Sequence, residues 1–124
     1  MDFLILTNNP LVRERYAGRF ALEYAEVSLR ELLVMARDRI HLGHALYTHP
    51  LSGSVKPNQT PYKSVLISKQ PQEFSPAFAE IIERSIAVCD AFPQQNRTYD
   101  EATLADFQLI DFTLLASAMP GEIL

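Results

Sequence analysis

Short apolar runs alternate with capped helical segments along this chain, and this alternation limits its possible folds more than any other feature. Phe3 to Leu6 is a continuous apolar run bounded by turn residues, which is typical of a strand buried on both faces. The run from Val65 to Ile67 has the same character and predicts another strand within Lys63 to Lys69. Leu22 to Val27 and His44 to Thr48 are two further predicted strands.

Four helix starts are predicted from N-cap residues, from proline at the first helical position and from capping boxes. They lie at Asn9–Pro10, Ser28–Glu31, Ser75–Pro76 and Thr98–Glu101. Gly43 is placed to terminate the second helix, and the last helix is expected to reach about Met119.

The resulting order, β-α-β-α-β-loop-β-α-α, predicts one small α/β domain over residues 1–124. We expect three layers in a Rossmann-like arrangement, with a mostly parallel sheet of about four strands and helices on both faces. Right-handed crossovers would bring the carboxyl ends of the first and third predicted strands to one edge. Ligands bind at such an edge in open α/β sheets.

Charge and composition exclude several classes of protein. Eleven Lys and Arg against fifteen Asp and Glu give a net charge of -4, which argues against broad nucleic-acid binding. No apolar stretch approaches the ~20 residues of a membrane helix. The start of the chain does not resemble a signal peptide, and the single Cys89 cannot form an internal disulfide. We therefore expect a cytoplasmic protein that does not bind membranes, with Cys89 as a buried, inert thiol.

The segment from His49 to Lys63 holds four prolines and glycines and is predicted to be a long loop beside this edge. Its backbone amides and hydroxyls could form a nest for a phosphate or carboxylate, with positive charge on either side. The nest is Ser52, Gly53 and Ser54, and the cations are Lys56 and Lys63. Asn8 and Asn9, at the exit of the first strand, would complete the site. The alternative is a surface loop stiffened by prolines, since neither a Walker loop nor a dinucleotide fingerprint is present.

His49 and Asp111 are the candidate proton-handling groups. His49 directly follows a predicted strand and is our first choice for a general acid–base or ligand contact. Asp111 lies in an otherwise apolar helix and shares a face with Gln108. Structural alternatives stay open: His49 could hold the turn, and Asp111 could pair with a loop cation. No metal site is expected, because Gly43 breaks the spacing of the nearby histidines.

Three stretches together resemble one protein family. They are residues 6–12, residues 48–64 (Thr-His-Pro-Leu-Ser-Gly-Ser-Val-Lys-Pro-Asn-Gln-Thr-Pro-Tyr-Lys-Ser) and residues 106–111. The long central motif is similar to that of the GrdX family, and the likeness runs across nearly the whole chain.

The resemblance implies a small cytoplasmic accessory protein encoded with glycine, sarcosine and betaine reductase genes. It implies no mechanism, no cofactor and no accepted catalytic residue. Motif membership marks, without assigning roles, Asn8, Asn9, His49, Pro50, Ser52, Gly53, Ser54, Lys56, Lys63 and Asp111.

Our leading hypothesis is an accessory protein that binds a small anionic molecule at the ends of the first and third predicted strands. One alternative is an enzyme that uses His49 and Asp111 in the same crevice. Another is a scaffold for a reductase complex, which exposed residues around Leu51 and Tyr62 would favour. Self-association is compatible with each hypothesis.

Overall fold

The computed structural model describes residues 2–51, 60–92 and 98–119, which form a small α/β domain. The strands of this part of the chain are β1 (Phe3–Thr7), β2 (Leu22–Tyr24) and β3 (Ser64–Ser68). Its helices are α1 (Pro10–Tyr16), α2 (Leu29–His41), α3 (Pro76–Ala91) and α4 (Glu101–Ala118).

The three strands form one mixed sheet in the order β2-β1-β3. β1 runs parallel to β2, with Ile5 opposite Leu22. β3 is antiparallel to β1, with Phe3 opposite Ser68 and Thr7 opposite Ser64. The end of β1 therefore lies beside the start of β3.

The prediction of a four-stranded, mostly parallel sheet is wrong. Residues 44–48 form only an isolated antiparallel bridge, from Leu46 to Ile67, on the edge of β3 away from β1. The last predicted strand is antiparallel, although its run is buried on both faces. Burial on both faces indicated a parallel strand, but helices cover both sides of this sheet whatever its strand directions.

Two apolar clusters fix the sheet between its helices. On one face, Leu4, Leu6 and Ile67 pack with the buried residues of α2 and α3. On the other face, Ile5 and Leu66 pack with residues of α1 and the end of α4. Because successive strand residues point to opposite faces, each apolar run serves both clusters.

The helix ends follow the predicted caps, with one exception. Ser28 forms a complete capping box with Glu31, and Ser75 caps the helix that Pro76 begins. The last helix is capped by Asp100, whose side chain accepts a hydrogen bond from the Thr103 amide, and not by Thr98. In the ranges given above, no helix combines the length and apolar character needed to cross a membrane.

Candidate functional site

A cluster of polar side chains lies where β1 ends, β3 begins and α4 passes over both. We call it the strand-end cluster. Its members are Thr7, Asn8, Asn9, Lys63, Ser64 and Asp111. All six are buried, although they are polar or charged. Buried polar groups at this density need hydrogen-bond partners, and the contacts of the cluster supply them.

Asp111 is the acceptor that joins α4 to the sheet. Its Oδ1 accepts a hydrogen bond from the Ser64 amide at 2.9 Å, and its Oδ2 accepts one from Ser64 Oγ at 2.7 Å. Asn9 Nδ2 donates to the same Oδ2 at 3.0 Å. Three donors thus hold one carboxylate that is only 5% exposed.

Asn9 connects the entry of α1 to α4. Its Oδ1 caps α1 by accepting a hydrogen bond from the Leu11 amide at 3.0 Å. Its Nδ2 donates to the Gln108 carbonyl at 2.9 Å as well as to Asp111. The side chain of Thr7 completes this corner, because its Oγ1 accepts from the Asn9 amide and lies 2.7 Å from Ser64 Oγ.

Asn8 holds the chain just before β3. Its Nδ2 donates to the Pro61 carbonyl at 2.8 Å and to the Val27 carbonyl at 2.9 Å. Its Oδ1 accepts from the Lys63 amide at 2.8 Å. Asn8 therefore fixes the end of the segment 49–63 against β1 with side-chain bonds to both residues that flank Tyr62.

Lys63 places a cation inside the cluster. Its side chain is buried, with 7% of the residue exposed, and this burial lowers the pKa of the ammonium below its ordinary value. The negative charge of Asp111 acts in the opposite direction and raises that pKa. Desolvation is the larger of the two effects, so a further negative charge near Lys63 would favour its protonated form.

The beginning of the segment 49–63 is held on the other side of β3. Thr48 Oγ1 accepts a hydrogen bond from the Leu66 amide at 3.0 Å. His49 is exposed, and its Nδ1 accepts from the Leu51 amide at 3.1 Å, which is the contact expected of a residue that holds the turn. No hydrogen bond joins His49 to Asp111 in the described part of the chain.

The structure brings together four of the residues that the sequence marked: Asn8, Asn9, Lys63 and Asp111. Ser52, Gly53, Ser54 and Lys56 lie outside the described residues. The carboxyl ends of the first and third predicted strands were expected to face each other as neighbours. In the structure β3 lies between β1 and residues 44–48, so these two ends lie at the same end of the sheet but are not adjacent.

Sequence reasoning missed Thr7, Ser64 and the contact between Gln108 and Tyr62. Gln108 Nε2 donates to the Tyr62 hydroxyl at 3.1 Å, and this bond connects α4 to the segment 49–63. Thr7 and Ser64 are the polar residues that end and begin buried strands, and this position is the signal that could have identified them.

The cluster has the properties of a rigid support around one buried cation. Within residues 2–51, 60–92 and 98–119, every buried side-chain nitrogen or oxygen has a hydrogen-bond partner. The same residues contain no group of three or more acidic, histidine or cysteine side chains placed to hold a metal ion. The charged members of the strand-end cluster are Lys63 and Asp111.

Comparison with known proteins gives a match at the level of the family. The family model described as "GrdX-like protein" matches residues 4–120, which is nearly the whole chain. No curated protein and no solved structure is similar enough to the chain to count as a match.

Proposed function

Since the chain belongs to the GrdX-like protein family, we propose that it is an accessory protein of glycine, sarcosine and betaine reductase metabolism that binds a small anionic molecule. The site is the strand-end cluster together with the adjoining segment 49–63. The observation that supports this proposal is the buried ammonium of Lys63 at the junction of β1, β3 and α4.

A buried lysine is unfavourable for folding unless its charge is compensated. Asp111 compensates in part, but the pKa of Lys63 still lies below its ordinary value. A carboxylate or phosphate that reaches this ammonium would favour its protonated form further and gain a charge-assisted hydrogen bond. The burial of a lysine beside Asp111, at the junction of three elements, is the reason we assign Lys63 to binding.

The asparagines have a supporting part in this proposal. The side-chain oxygens of Asn8 and Asn9 are occupied by backbone amides, and their amide groups donate to carbonyls and to Asp111. They position Lys63 and the first turn of α1. Direct contacts to the anion are assigned to Lys63, with Lys56 and the amides and hydroxyls of Ser52, Gly53 and Ser54 as further contacts. His49 would orient the ligand or exchange a proton with it.

The two alternatives gain less from the structure. The enzyme hypothesis needs His49 and Asp111 to act together, and their described hydrogen bonds go to other partners. The scaffold hypothesis drew on exposure around Leu51 and Tyr62, but both residues are half-buried, and Tyr62 is bonded to Gln108.

Two cationic side chains, one inside the strand-end cluster and one outside it, provide the test. The purified protein is screened by thermal shift against inorganic phosphate, small carboxylates, amino acids and nucleotides, since a molecule that binds only the folded state raises the melting temperature. Lys63→Met is expected to abolish the shift given by the anion that binds at the cluster. Arg84→Met, which removes an exposed cation on α3, is the matched control and is expected to keep it.

Two results would contradict the proposal. One is an equal thermal shift in the wild-type protein and a folded Lys63→Met variant. The other is the absence of any shift across all four classes of compound, which would favour the scaffold hypothesis and pull-down experiments.

A further inference from the structure

A groove of about 390 Å³ opens at the end of the sheet opposite the strand-end cluster. It lies where β1 begins and β3 ends, since Phe3 is paired with Ser68 there. Its lining residues are Phe3, Gly18, Arg19, Phe20, Ala21 and Lys69. Its volume falls in the range of roughly 300–1,000 Å³ that is usual for small-molecule sites.

Two cations and no acidic side chain are among the lining residues, in a chain whose net charge is -4. Arg19 comes from the turn after α1, and Lys69 directly follows β3. Lys69 is fixed at the backbone, because its amide donates to the Asp2 carbonyl at 3.2 Å. An anionic group in the groove would meet a guanidinium and an ammonium.

The guanidinium of Arg19 is positioned by aromatic rings. Its central carbon lies 5.2 Å from the ring centroid of Phe20 and 5.5 Å from that of Tyr16. The Arg19 amide also donates to the Tyr16 carbonyl at 3.0 Å, which closes the turn. Such stacking restricts the rotamers of the Arg19 side chain. Because a guanidinium has five N–H donors, it can donate a hydrogen bond to a ligand and keep its other contacts.

The other lining residues carry no charged side chain, and two of them are aromatic. The rings of Phe3 and Phe20 contact each other with their centroids 5.4 Å apart. Gly18, at a φ of 84°, presents no side chain, and a Cβ built there would meet no atom within 4 Å. A flat or apolar group would therefore have aromatic surface to pack against and space to enter beside Gly18.

We infer that this groove is a second binding site, for a small organic anion that carries a carboxylate or phosphate group on a flat apolar body. Arg19 and Lys69 hold the anionic group, and the partly exposed ring of Phe20, backed by the buried ring of Phe3, packs against the body. The inference does not depend on the proposed function, because Lys63 and Lys69 lie at opposite ends of β3.

Phenyl phosphate and benzoate are suitable probes, titrated into the ¹⁵N-labelled protein and followed by amide NMR shifts. Saturable shifts are expected at residues 18–21 and 69. Arg19→Gln and Lys69→Met should each weaken binding about tenfold, the effect of losing one charge-assisted hydrogen bond. Binding by either probe supports the inference, and the stronger one shows which anionic group the site prefers.

A matched control separates this site from general charge effects. Arg84→Gln removes an exposed arginine on α3 and is expected to leave the affinity for phenyl phosphate unchanged. Binding at the strand-end cluster would instead shift amides near residue 63, at the opposite end of β3 from residue 69. Benzyl alcohol tests the ring without the charge, and inorganic phosphate tests the charge without the ring. Each should bind more weakly than phenyl phosphate.

Three results would overturn the inference. They are shifts confined to residues outside the groove, unchanged affinity in the folded Arg19→Gln and Lys69→Met variants, and equal affinity for phenyl phosphate and either of its two fragments. The substituted side chains are exposed, so both variants are expected to fold, and the dispersion of their amide spectra shows directly whether they do.

Discussion

The carboxylate of Asp111 satisfies donors from two other elements, so its removal should affect stability as well as binding. In Asp111→Ala, the buried Ser64 amide loses its acceptor, Ser64 Oγ loses another, and Asn9 Nδ2 keeps only the Gln108 carbonyl. We expect a loss of about 3 kcal/mol in the free energy of unfolding, since each buried unsatisfied donor costs about 1–3 kcal/mol.

Urea denaturation measures this effect, with Asp111→Asn as the conservative comparison. The asparagine keeps one acceptor oxygen and should lose less stability than the alanine variant. Equal stability of Asp111→Ala and the wild-type protein would contradict the described hydrogen bonds.

Replacing Lys63 is expected to change the free energy of unfolding in the opposite direction from replacing Asp111. Burial disfavours its charged form in the folded protein, so Lys63→Met should keep or raise the free energy of unfolding at neutral pH. A variant that is at least as stable but binds no anion would mark Lys63 as a functional residue. A large loss of stability would instead show that its ammonium is a structural partner of Asp111.

The pH dependence of stability gives a second measurement on Lys63. Its folded-state pKa lies below the unfolded value of 10.5, so between these two values the unfolded chain binds more protons. The free energy of unfolding should therefore rise with pH in that window, and the penalty is fully present below the folded pKa. Urea denaturation at several pH values should show this rise in the wild-type protein relative to Lys63→Met.

The sequence predicts some members of the strand-end cluster, although their role in binding stays a prediction. Asn8 and Asn9 are marked by their position at a strand exit, Lys63 as a cation beside the loop, and Asp111 as a carboxylate in an apolar helix. Thr7 and Ser64 were missed because small hydroxyl residues are common at strand ends. Only the β1–β3 register places these two opposite each other.

Gly43 is the residue on which the end of α2 depends. It has a φ of 107°, and a Cβ built there would lie 2.2 Å from the Gln72 carbonyl oxygen. Gly43→Ala should therefore cost more than the roughly 1–2 kcal/mol of left-handed strain alone. Gly18→Ala is the matched control, because its φ is also positive but the space beside it is open.

Thermal and urea unfolding of the two glycine variants test this difference. The prediction fails if Gly18→Ala is destabilised as much as Gly43→Ala, since the contact with Gln72 would then have no measurable effect. Both variants are compared with the wild-type protein at one pH and salt concentration.

Elements were predictable where their signals are local. Ser28 and Ser75 begin helices because their hydroxyls accept hydrogen bonds from the backbone amides three residues ahead. Cap and capped amide lie within one turn of the chain, so the sequence alone indicates these helix starts. At the start of α4 two residues could fill this role, and Asp100 takes it instead of Thr98. Residues 44–48 have strand character, but a single bridge to Ile67 does not make a strand.

Cys89 reports on the opening of the whole domain. It is 2% exposed and lies in the cluster that joins α2, α3 and the sheet. Reaction of its thiol with an aromatic disulfide reagent should therefore require unfolding, and its rate should follow global stability. Leu33→Ala, in the same cluster, should accelerate the reaction about 30-fold or more, because a core Leu→Ala change costs about 2–5 kcal/mol.

Leu109→Ala is the control for this experiment, because Leu109 is 53% exposed on α4. The thiol of Cys89 in the Leu109→Ala variant should react at the same rate as in the wild-type protein. Fast labelling of Cys89 in the wild-type protein under native conditions would show that α3 opens locally without unfolding of the domain.

At the scale of the molecule, the sequence indicated an α/β domain but not the strand directions. Strand order depends on contacts between residues far apart, such as Thr7 with Ser64. Apolar runs look alike in parallel and antiparallel strands when helices cover both faces.

The antiparallel bridge between residues 44–48 and β3 also bears on how this family could diversify. Both ends of the segment 49–63 are anchored to the sheet, one to β3 through Thr48 and the other to the end of β1 through the bond between Asn8 and the Lys63 amide. For a loop whose two ends are fixed, each doubling of its length adds only about 0.6 kcal/mol to the entropic cost of closing it. Insertions and deletions between the anchors should leave the sheet register intact, so new specificity can evolve there without rebuilding the domain.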